Sequence, residues 1–376
     1  MRMARGFILI LIALLVLGLT TFAIPVPVWR TGELQAPPLP VIESGPAVGL
    51  PERVWIDTDA ACGNGPATDP DDCFALLVLT QAPGLEIVGV STVFGNAQLD
   101  VTDRTTRDLM AVIGRTGDRV PPVYRGSAGP VTGTHGGEPD LAAPYPAHAA
   151  LRDALAHGPL TVVALGPLTN VAAALEGRPD LLPNVGHLVA VMGRRPGHLF
   201  HPAEASGGGI LFGHGPVFRD FNFDMDRAAA TAVARMRIPT TFMPYDAARN
   251  LSLTGPDLAA MERGGGAAAW VAARARGWLD YWARDVGRNG FYPFDLLAAA
   301  YVIEPELFDC AEAGTWIGRD DRLWNVWFHD PPALLVGRRD DTPADVQASV
   351  PALYCPRIAP RLHGWLMRRL TSADTP

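Results

Sequence analysis

Short apolar runs alternate with longer amphipathic segments along most of this chain. The short runs are rich in β-branched residues and predict strands at Val54–Asp57, Glu86–Val93, Leu160–Leu165, His187–Met192 and Pro239–Met243. The longer segments predict helices at Asp72–Thr80, Leu99–Ile113, Ala147–Ala156, Leu168–Leu175, Arg227–Arg237, Ala267–Arg284 and Phe294–Val302. Strands that alternate with helices predict an α/β fold, a mostly parallel open sheet with flanking helices.

Three further elements and one long loop complete the pattern. Pro121–Gly126 predicts a short extra strand, Trp316–Leu335 a small antiparallel region, and Ala359–Leu370 a closing helix. Gly193–Pro216 is rich in Gly, Pro and His, which is typical of a long functional loop or lid. Because no second boundary interrupts the pattern, residues 52–372 are predicted to form a single domain.

The N-terminal segment has the composition of an export signal. Arg2 and Arg5 precede a stretch from Gly6 to Trp29 that contains no charged residue. Residues 1–29 therefore predict a signal peptide or an uncleaved membrane anchor. Residues 30–51 predict a stiff proline-rich linker. Since basic residues stay inside, the domain is expected to be extracytoplasmic, either anchored or secreted to the periplasm or beyond.

Charge and residue usage exclude several functions. The chain has 376 residues and a net charge of −8, which argues against a nucleic-acid partner held by a basic patch. Every basic residue is arginine, because the sequence contains no lysine. Chemistry that needs a lysine, such as Schiff-base catalysis or a Walker-A phosphate loop, is thereby excluded.

Four cysteines are present, and none forms a C-x-x-C pair. Outside the cytoplasm their even number permits two disulfides. We expect either the pairs Cys62–Cys73 and Cys310–Cys355 or four ordinary buried thiols.

Acidic residues are concentrated where the first strand ends and the first helix begins. Asp57 and Asp59 follow the apolar run, and Asp69, Asp71 and Asp72 precede the helix. In open α/β sheets, ligands bind at such strand ends, and crowded carboxylates are tolerated around a hard divalent cation. The alternative is that these residues serve only turns and the helix N-terminus.

An ordered set of short motifs resembles the nucleoside hydrolase family, the inosine–uridine-preferring ribohydrolases. The motifs span roughly Val54 to Leu370: Asp57-Thr58-Asp59 with Asp71-Asp72, Ser91-Thr92-Val93-Phe94-Gly95-Asn96, Leu165-Gly166-Pro167-Leu168-Thr169-Asn170, Val191-Met192-Gly193, Asp220-Phe221-Asn222 and Phe294-Asp295. The resemblance implies a Rossmann-like nucleoside hydrolase fold.

The resemblance also implies a role for each matching residue. Asp59, Asp72 and Asp295 match Ca²⁺-binding carboxylates, and Leu165 matches a ligand that uses its backbone carbonyl. Asp71 matches the general base that activates a metal-bound water. Residues that match or lie near substrate contacts are Asn96, Met192, Asp220, Asn222 and His135. Asp57 is expected to support the metal ligands through hydrogen bonds.

Two departures from the family pattern concern the chemistry. Asp71 follows Asp59 by 12 positions, an eight-residue insertion, and this makes Asp69 a competing candidate for base or ligand. Phe294 occupies the position of a histidine that protonates the leaving base. Phe294 is therefore expected either to stack on the nucleobase or to pack in the core. His198, His201 and His214 are alternative acids or ordinary loop residues.

The sequence thus predicts calcium-dependent hydrolysis of the N-glycosidic bond of ribonucleosides. The expected partners are a nucleoside substrate, a membrane if the N-terminal segment is uncleaved, and further copies of the chain in a homo-oligomer. One alternative is a non-catalytic or divergent member that binds a ribosyl ligand at the cell surface. Another is an aspartate-nucleophile phosphatase, which the absence of lysine disfavours.

Overall fold

A computed structural model describes residues 51–115, 120–131, 145–195, 220–318, 333–337 and 350–371. Nine strands form one sheet in the order β3-β2-β1-β4-β5-β6-β9-β7-β8. Their bounds are β1 Glu52–Thr58, β2 Leu85–Thr92, β3 Val123–Arg125, β4 Leu160–Ala164, β5 Val185–Ala190, β6 Thr240–Phe242, β7 Phe308–Gly318, β8 Ala333–Gly337 and β9 Val350–Ile358. All pairs from β3 to β9 are parallel, and β7 is antiparallel to both of its neighbours.

Helices cover both faces of the sheet. Their bounds are α1 Asp71–Thr80, α2 Leu99–Gly114, α3 Pro146–Ala156, α4 Thr169–Leu175, α5 Phe221–Met225, α6 Arg227–Arg235, α7 Tyr245–Ala248, α8 Gly255–Gly264, α9 Gly266–Tyr281, α10 Phe294–Ile303 and α11 Leu362–Thr371. One core lies under α1, α2 and α8 to α11, and a second lies under α3, α4 and α6. Ile56 and Trp55 point to opposite cores, as the alternation of side chains along a strand requires.

The predicted α/β class and mostly parallel sheet are confirmed, and so is the short extra strand, which is β3. The antiparallel region is β7 and β8, which belong to the main sheet rather than forming a separate unit. Sequence reasoning missed β9, which lies between β6 and β7. Pro351 and Pro356 obscured its strand pattern, because proline lacks the N–H that a sheet ladder uses.

The helix Gly255–Gly264 was also missed, because glycines at both ends obscure its pattern. It begins at a capping box, in which Thr254 and Asp257 satisfy each other's backbone N–H groups. Both expected disulfides, Cys62–Cys73 and Cys310–Cys355, are formed.

Within the described ranges, no helix is both long enough and apolar enough to cross a membrane. The predicted signal or anchor at residues 1–29, all but the last residue of the linker at residues 30–51 and most of the predicted lid lie outside those ranges.

Candidate active site

Five aspartates converge where β1 ends and where α1 and α10 begin. Asp57, Asp59, Asp71, Asp72 and Asp295 each expose 4% or less of their surface. Asp71 and Asp72 open α1, and Asp295 lies in the first turn of α10. One carboxylate oxygen from each of Asp71, Asp72 and Asp295 lies within 4.8 Å of the others. This set contains Asp72 and Asp295, two of the predicted metal ligands, and has the predicted base Asp71 in place of the predicted ligand Asp59.

Asp71 connects the two helices. Its Oδ2 accepts a hydrogen bond from the backbone N–H of Asp295 at 3.0 Å, and its Oδ1 accepts one from Asp72 N–H at 3.1 Å. The Asp71 N–H donates to Asp69 Oδ1 at 3.2 Å. Asp69 thus contacts the cluster from the inserted loop, whereas Asp71 and Asp72 lie in the helix itself.

Asp59 joins the cluster through Asp72 and Asn96. The Asp59 N–H donates to Asp72 Oδ1 at 3.1 Å. Asn96 donates its backbone N–H to Asp59 Oδ2 at 2.8 Å and its side-chain amide to Asp72 Oδ2 at 3.0 Å. Asn96, predicted to contact the ribose, therefore lies directly against two of the predicted metal ligands.

Two glycines allow the chain to approach Asp59 closely. A Cβ at Gly95 would come within 1.8 Å of Asp59 Oδ2. A Cβ at Gly166 would come within 3.1 Å of Asp59 Cγ. The loops after β2 and β4 therefore pack against this carboxylate in a way that only glycine permits.

Asp57 lies behind the cluster and is held by other strands. Its Oδ1 accepts hydrogen bonds from Ser91 Oγ at 2.5 Å and from Asn170 Nδ2 at 2.7 Å. Asn170 also accepts a hydrogen bond from the Ser127 N–H at 2.9 Å. Sequence reasoning missed Asn170 as a partner of Asp57, although its position after a strand end was the available signal.

Thr58 was missed in the same way. Its hydroxyl donates to Asp72 Oδ1 at 2.5 Å. The side chain is completely buried, so it fixes one oxygen of a predicted metal ligand from the end of β1.

The remaining predicted residues lie at the ends of β4 and β5. The Leu165 carbonyl accepts a hydrogen bond from Asn222 Nδ2 at 2.6 Å, and Val191 O accepts one from the same nitrogen at 3.0 Å. Asp220 accepts hydrogen bonds from Gly193 N–H at 2.7 Å and Phe223 N–H at 3.4 Å. The amide nitrogen of Asn222 is thus occupied by two backbone carbonyls.

Met192 lies in a hydrophobic core, whereas Phe294 is only partly buried. Met192 is 3% exposed and belongs to the core under α3, α4 and α6. Phe294 is partly buried, and its ring stacks on Tyr245 with centroids 6.3 Å apart. His135, His198, His201 and His214 lie outside the described residues.

Burial raises the pKa values of these carboxyl groups. It raises the pKa of Asp57 to about 7, and burial together with the charge of Asp71 raises that of Asp72 to about 6. The pKa values of Asp59 and Asp295 lie well above the usual range for the same two reasons, burial and neighbouring carboxylates. Burial also raises the pKa of Asp220 to about 7.

The donor set fits a hard cation. Within the described residues, no arginine or histidine forms an ion pair with the five aspartates. Several buried carboxylates without a counter-charge are unfavourable unless they take up protons or a cation. Oxygen ligands alone suit Ca²⁺ or Mg²⁺.

Sequence comparisons find a family model and relatives that match most of this chain. A sequence model described as inosine-uridine preferring nucleoside hydrolase matches residues 54–349. A uridine nucleosidase of Arabidopsis thaliana is 27% identical over 292 residues, which cover 71% of this chain and 78% of that protein. A non-specific ribonucleoside hydrolase of Escherichia coli is 28% identical over 263 residues, which cover 64% and 79%.

Solved structures share the fold. A plant nucleoside hydrolase superimposes with a TM-score of 0.67 at 21% identity, covering 86% of this chain and 99% of its own. A purine-preferring ribonucleoside hydrolase from Gardnerella vaginalis gives a TM-score of 0.64 at 19% identity, with coverages of 86% and 99%.

Proposed function

Because this chain belongs to the inosine-uridine preferring nucleoside hydrolase family and is a ribonucleoside N-ribohydrolase, we propose that its hydrolysis of the N-glycosidic bond depends on Ca²⁺. The observation that carries the proposal is the convergence of Asp71, Asp72 and Asp295, buried and without a cationic partner among the described residues. Release of free base and ribose is the expected reaction.

Asp59, Asp72, Asp295 and the carbonyl of Leu165 would hold the ion. Support for this set comes from the hydrogen bonds that fix its members, from Thr58 and Asn96 to Asp72 and from Asn222 to the Leu165 carbonyl. When bound, a divalent cation supplies a site that orients the ribose hydroxyls and the attacking water and lowers the pKa of that water.

Asp71 would accept the proton of the attacking water. Its two oxygens are fixed by the N–H groups of Asp72 and Asp295, so its carboxylate is oriented before substrate binds. Hydrolysis of an N-glycosidic bond develops positive charge on the sugar, as in other glycoside hydrolysis. The surrounding carboxylates would stabilise that charge.

Ribose recognition would fall to Asn96, Asp220 and Asn222, whose amide and carboxyl groups suit hydroxyls that both donate and accept. Because Nδ2 of Asn222 already donates to two backbone carbonyls, this side chain would contribute its Oδ1 as an acceptor. Phe294 would face the nucleobase, and Met192, which is 3% exposed, would meet the sugar only through the small part of its surface that is open. His135 is retained as a proposed substrate contact.

The test is a pair of conservative substitutions in the acidic stretch. Asp71→Asn should reduce release of base from inosine and uridine by about 100-fold or more, because it removes the proton acceptor. Asp69→Asn tests the other candidate base. Asp153→Asn, on the exposed face of α3, is the control and shows the effect of an Asp-to-Asn change away from the site. Activity should also disappear on chelation and return with Ca²⁺.

A fully active Asp71→Asn enzyme would reject the assigned base, and loss of activity in Asp69→Asn alone would transfer that role to Asp69. Activity that persists under chelation would reject the dependence on Ca²⁺.

A second candidate function rests on Phe294, which cannot protonate a leaving base. A divergent member would bind ribosyl ligands without turnover. Calorimetry with inosine and uridine distinguishes the two, because binding heat with no release of base supports the binding protein and measurable turnover rejects it.

Export to the cell exterior is part of the proposal. Support comes from the charge-free segment Gly6 to Trp29 and from the two disulfides, which persist in oxidising compartments. Fractionation of cells that express the full chain tests it, and recovery in the cytoplasm would reject it.

A further inference from the structure

The inserted loop between β1 and α1 is attached to the rest of the protein at two places. A disulfide joins Cys62, 3% exposed, to the fully buried Cys73 in the first turn of α1. On its other side the loop packs on α9, where a Cβ at Gly277 would lie 2.9 Å from Pro66 Cα. Gly63, with φ +80°, lies against the side chain of Arg274. The insertion is therefore a packed part of the structure.

The disulfide acts where α1 has no side-chain cap. The N-cap residue is Pro70, whose side chain cannot accept a hydrogen bond, and the first two N–H groups donate instead to Asp69 Oδ1 in the inserted loop and to Asp71 Oδ1. Cys73 directly follows Asp71 and Asp72. The covalent link thus fixes the helix start that carries two carboxylates of the three-aspartate cluster.

We propose that the Cys62–Cys73 disulfide is a positioning element that holds Asp71 and Asp72 in the geometry required for ion binding and proton transfer. This inference rests on the proposed function. Without the link, the loop and the first turn of α1 would sample more conformations, and the bound ion would have to order them. The expected consequence is weaker ion binding while the sheet keeps its strand order.

The second disulfide provides a matched control. Cys310–Cys355 links β7 to β9, strands that are separated from β1 by other strands of the sheet. Calorimetric titration with Ca²⁺ alone compares the wild type, the double variant Cys62→Ser/Cys73→Ser and the double variant Cys310→Ser/Cys355→Ser. We expect the first variant to bind Ca²⁺ about 10-fold more weakly or worse, a size typical of lost support around metal ligands. The second variant should bind like the wild type.

Circular dichroism at the titration temperature checks that each variant is folded. At saturating Ca²⁺, the first variant should also show a lower kcat for nucleoside hydrolysis, because the helix start that carries Asp71 is held less firmly. KM should change less.

A glycine substitution in α9 tests the inference without changing a cysteine. Gly277→Val should push Pro66 away from α9 and weaken Ca²⁺ binding in the same direction. Gly364→Val is its control, since it also lies within a helix and the nearest atom to its Cβ is the end of the flexible Arg368 side chain. This pair decides the question if the Cys62→Ser/Cys73→Ser protein does not fold.

The outcomes are distinct. Ca²⁺ affinity that is unchanged in the loop variants, or that falls equally in the Cys310→Ser/Cys355→Ser protein, overturns the inference and leaves the proposed function intact. A wild type that binds no Ca²⁺ overturns both.

Discussion

Asp57 lies at the end of β1 with no exposed surface, and all of its hydrogen bonds fall on one oxygen. Ser91 and Asn170 donate to Oδ1, whereas Oδ2 has no hydrogen-bond partner among the described residues. Burial outweighs these two bonds and raises its pKa to about 7. A carboxyl group in this state responds to any charge placed nearby, so its protonation depends on a cation bound at the adjacent cluster.

Phe294 sits beside Asp295 but belongs to an aromatic group. Its ring stacks on Tyr245 and meets Tyr292 edge-on, with centroids 6.3 and 6.4 Å apart. Both neighbours are buried, which leaves the partly buried ring of Phe294 as the aromatic surface next to the carboxylates. An apolar ring there favours contact with a planar base and offers no proton to it.

Replacement of Phe294 should change which leaving groups the enzyme tolerates. We expect the wild type to prefer p-nitrophenyl riboside, whose phenolate departs without a proton, over inosine. Phe294→His should reduce this preference by about 100-fold, the contribution typical of a general acid. The measurement is the ratio of the two kcat/KM values.

Phe294→Leu is the matched control, because it removes the ring without adding a donor and should keep the preference for the aryl riboside. If Phe294→His leaves the ratio unchanged, another group already protonates the base.

At the scale of elements, α1 and α10 form one unit. Both begin at a proline N-cap without a side-chain hydrogen bond, Pro70 and Pro293, and both carry acids in the first turn. Acidic groups at a helix N-terminus are favoured by the helix dipole. The Asp71 carboxylate at the start of α1 accepts a hydrogen bond from the backbone N–H of Asp295 in the first turn of α10. A side chain of α1 therefore satisfies one of the N–H groups at the start of α10. Packing between these two helices therefore determines the spacing of the carboxylates.

Removing a core side chain from α10 should lower stability strongly. Leu297 is completely buried, so Leu297→Ala is expected to cost about 2–5 kcal/mol of unfolding free energy. Urea denaturation measures the loss. Val120→Ala, at a position 42% exposed, should change stability by less than about 0.5 kcal/mol. Equal effects of the two substitutions would contradict the assigned packing.

At the scale of the whole molecule, the strand order brings distant segments to one edge. β1 pairs with β2 on one side and β4 on the other, and β5 follows β4. All four are parallel, so their carboxyl ends meet, and Asn96, Leu165 and Met192 follow them. The site thus depends on a sheet built from residues far apart in the chain.

The buried acids predict an unusual dependence of stability on pH. The pKa values of Asp72 and Asp57 are raised from 3.8 to about 6 and about 7, so the folded protein holds protons that the unfolded chain releases. In the metal-free protein, the contribution of these two groups to the unfolding free energy should be greatest below about pH 4 and should fall as the pH rises to about 7. His187 acts in the opposite direction. Burial lowers its pKa from 6.5 to about 4, so its contribution to the unfolding free energy is lost as the pH falls from 6.5 to about 4.

Urea unfolding from pH 4.5 to 8, with chelator and with Ca²⁺, measures this prediction. Ca²⁺ at 100 times its dissociation constant should restore about 2.7 kcal/mol at pH 7. A metal-free protein that becomes more stable as pH rises from 5 to 7 would show that His187, and not the aspartates, dominates.

Local pattern in the sequence determined the strands and helices around the site and the position of most acids at strand and helix ends. The reason is that side-chain periodicity and the strand-end rule act over a few residues. The predicted helix Asp72–Thr80 begins one residue later than the observed α1, Asp71–Thr80. The sequence left open whether Cys62 pairs with Cys73 or both remain buried thiols, and the structure shows the disulfide.

Apart from the metal ligands that the family resemblance implied, only the tertiary structure decided which polar groups meet. Asp71 and Asp295 are 224 positions apart, and Asp57 and Asn170 are 113 apart, so no local pattern relates them. Strand β9 was likewise decided by tertiary contacts. Its prolines obscure the strand pattern in the sequence, and pairing with β6 and β7 holds it in the sheet. Contacts of this kind arise because packing the two cores fixes the strand order, and the strand order then sets the distances between the carboxylates.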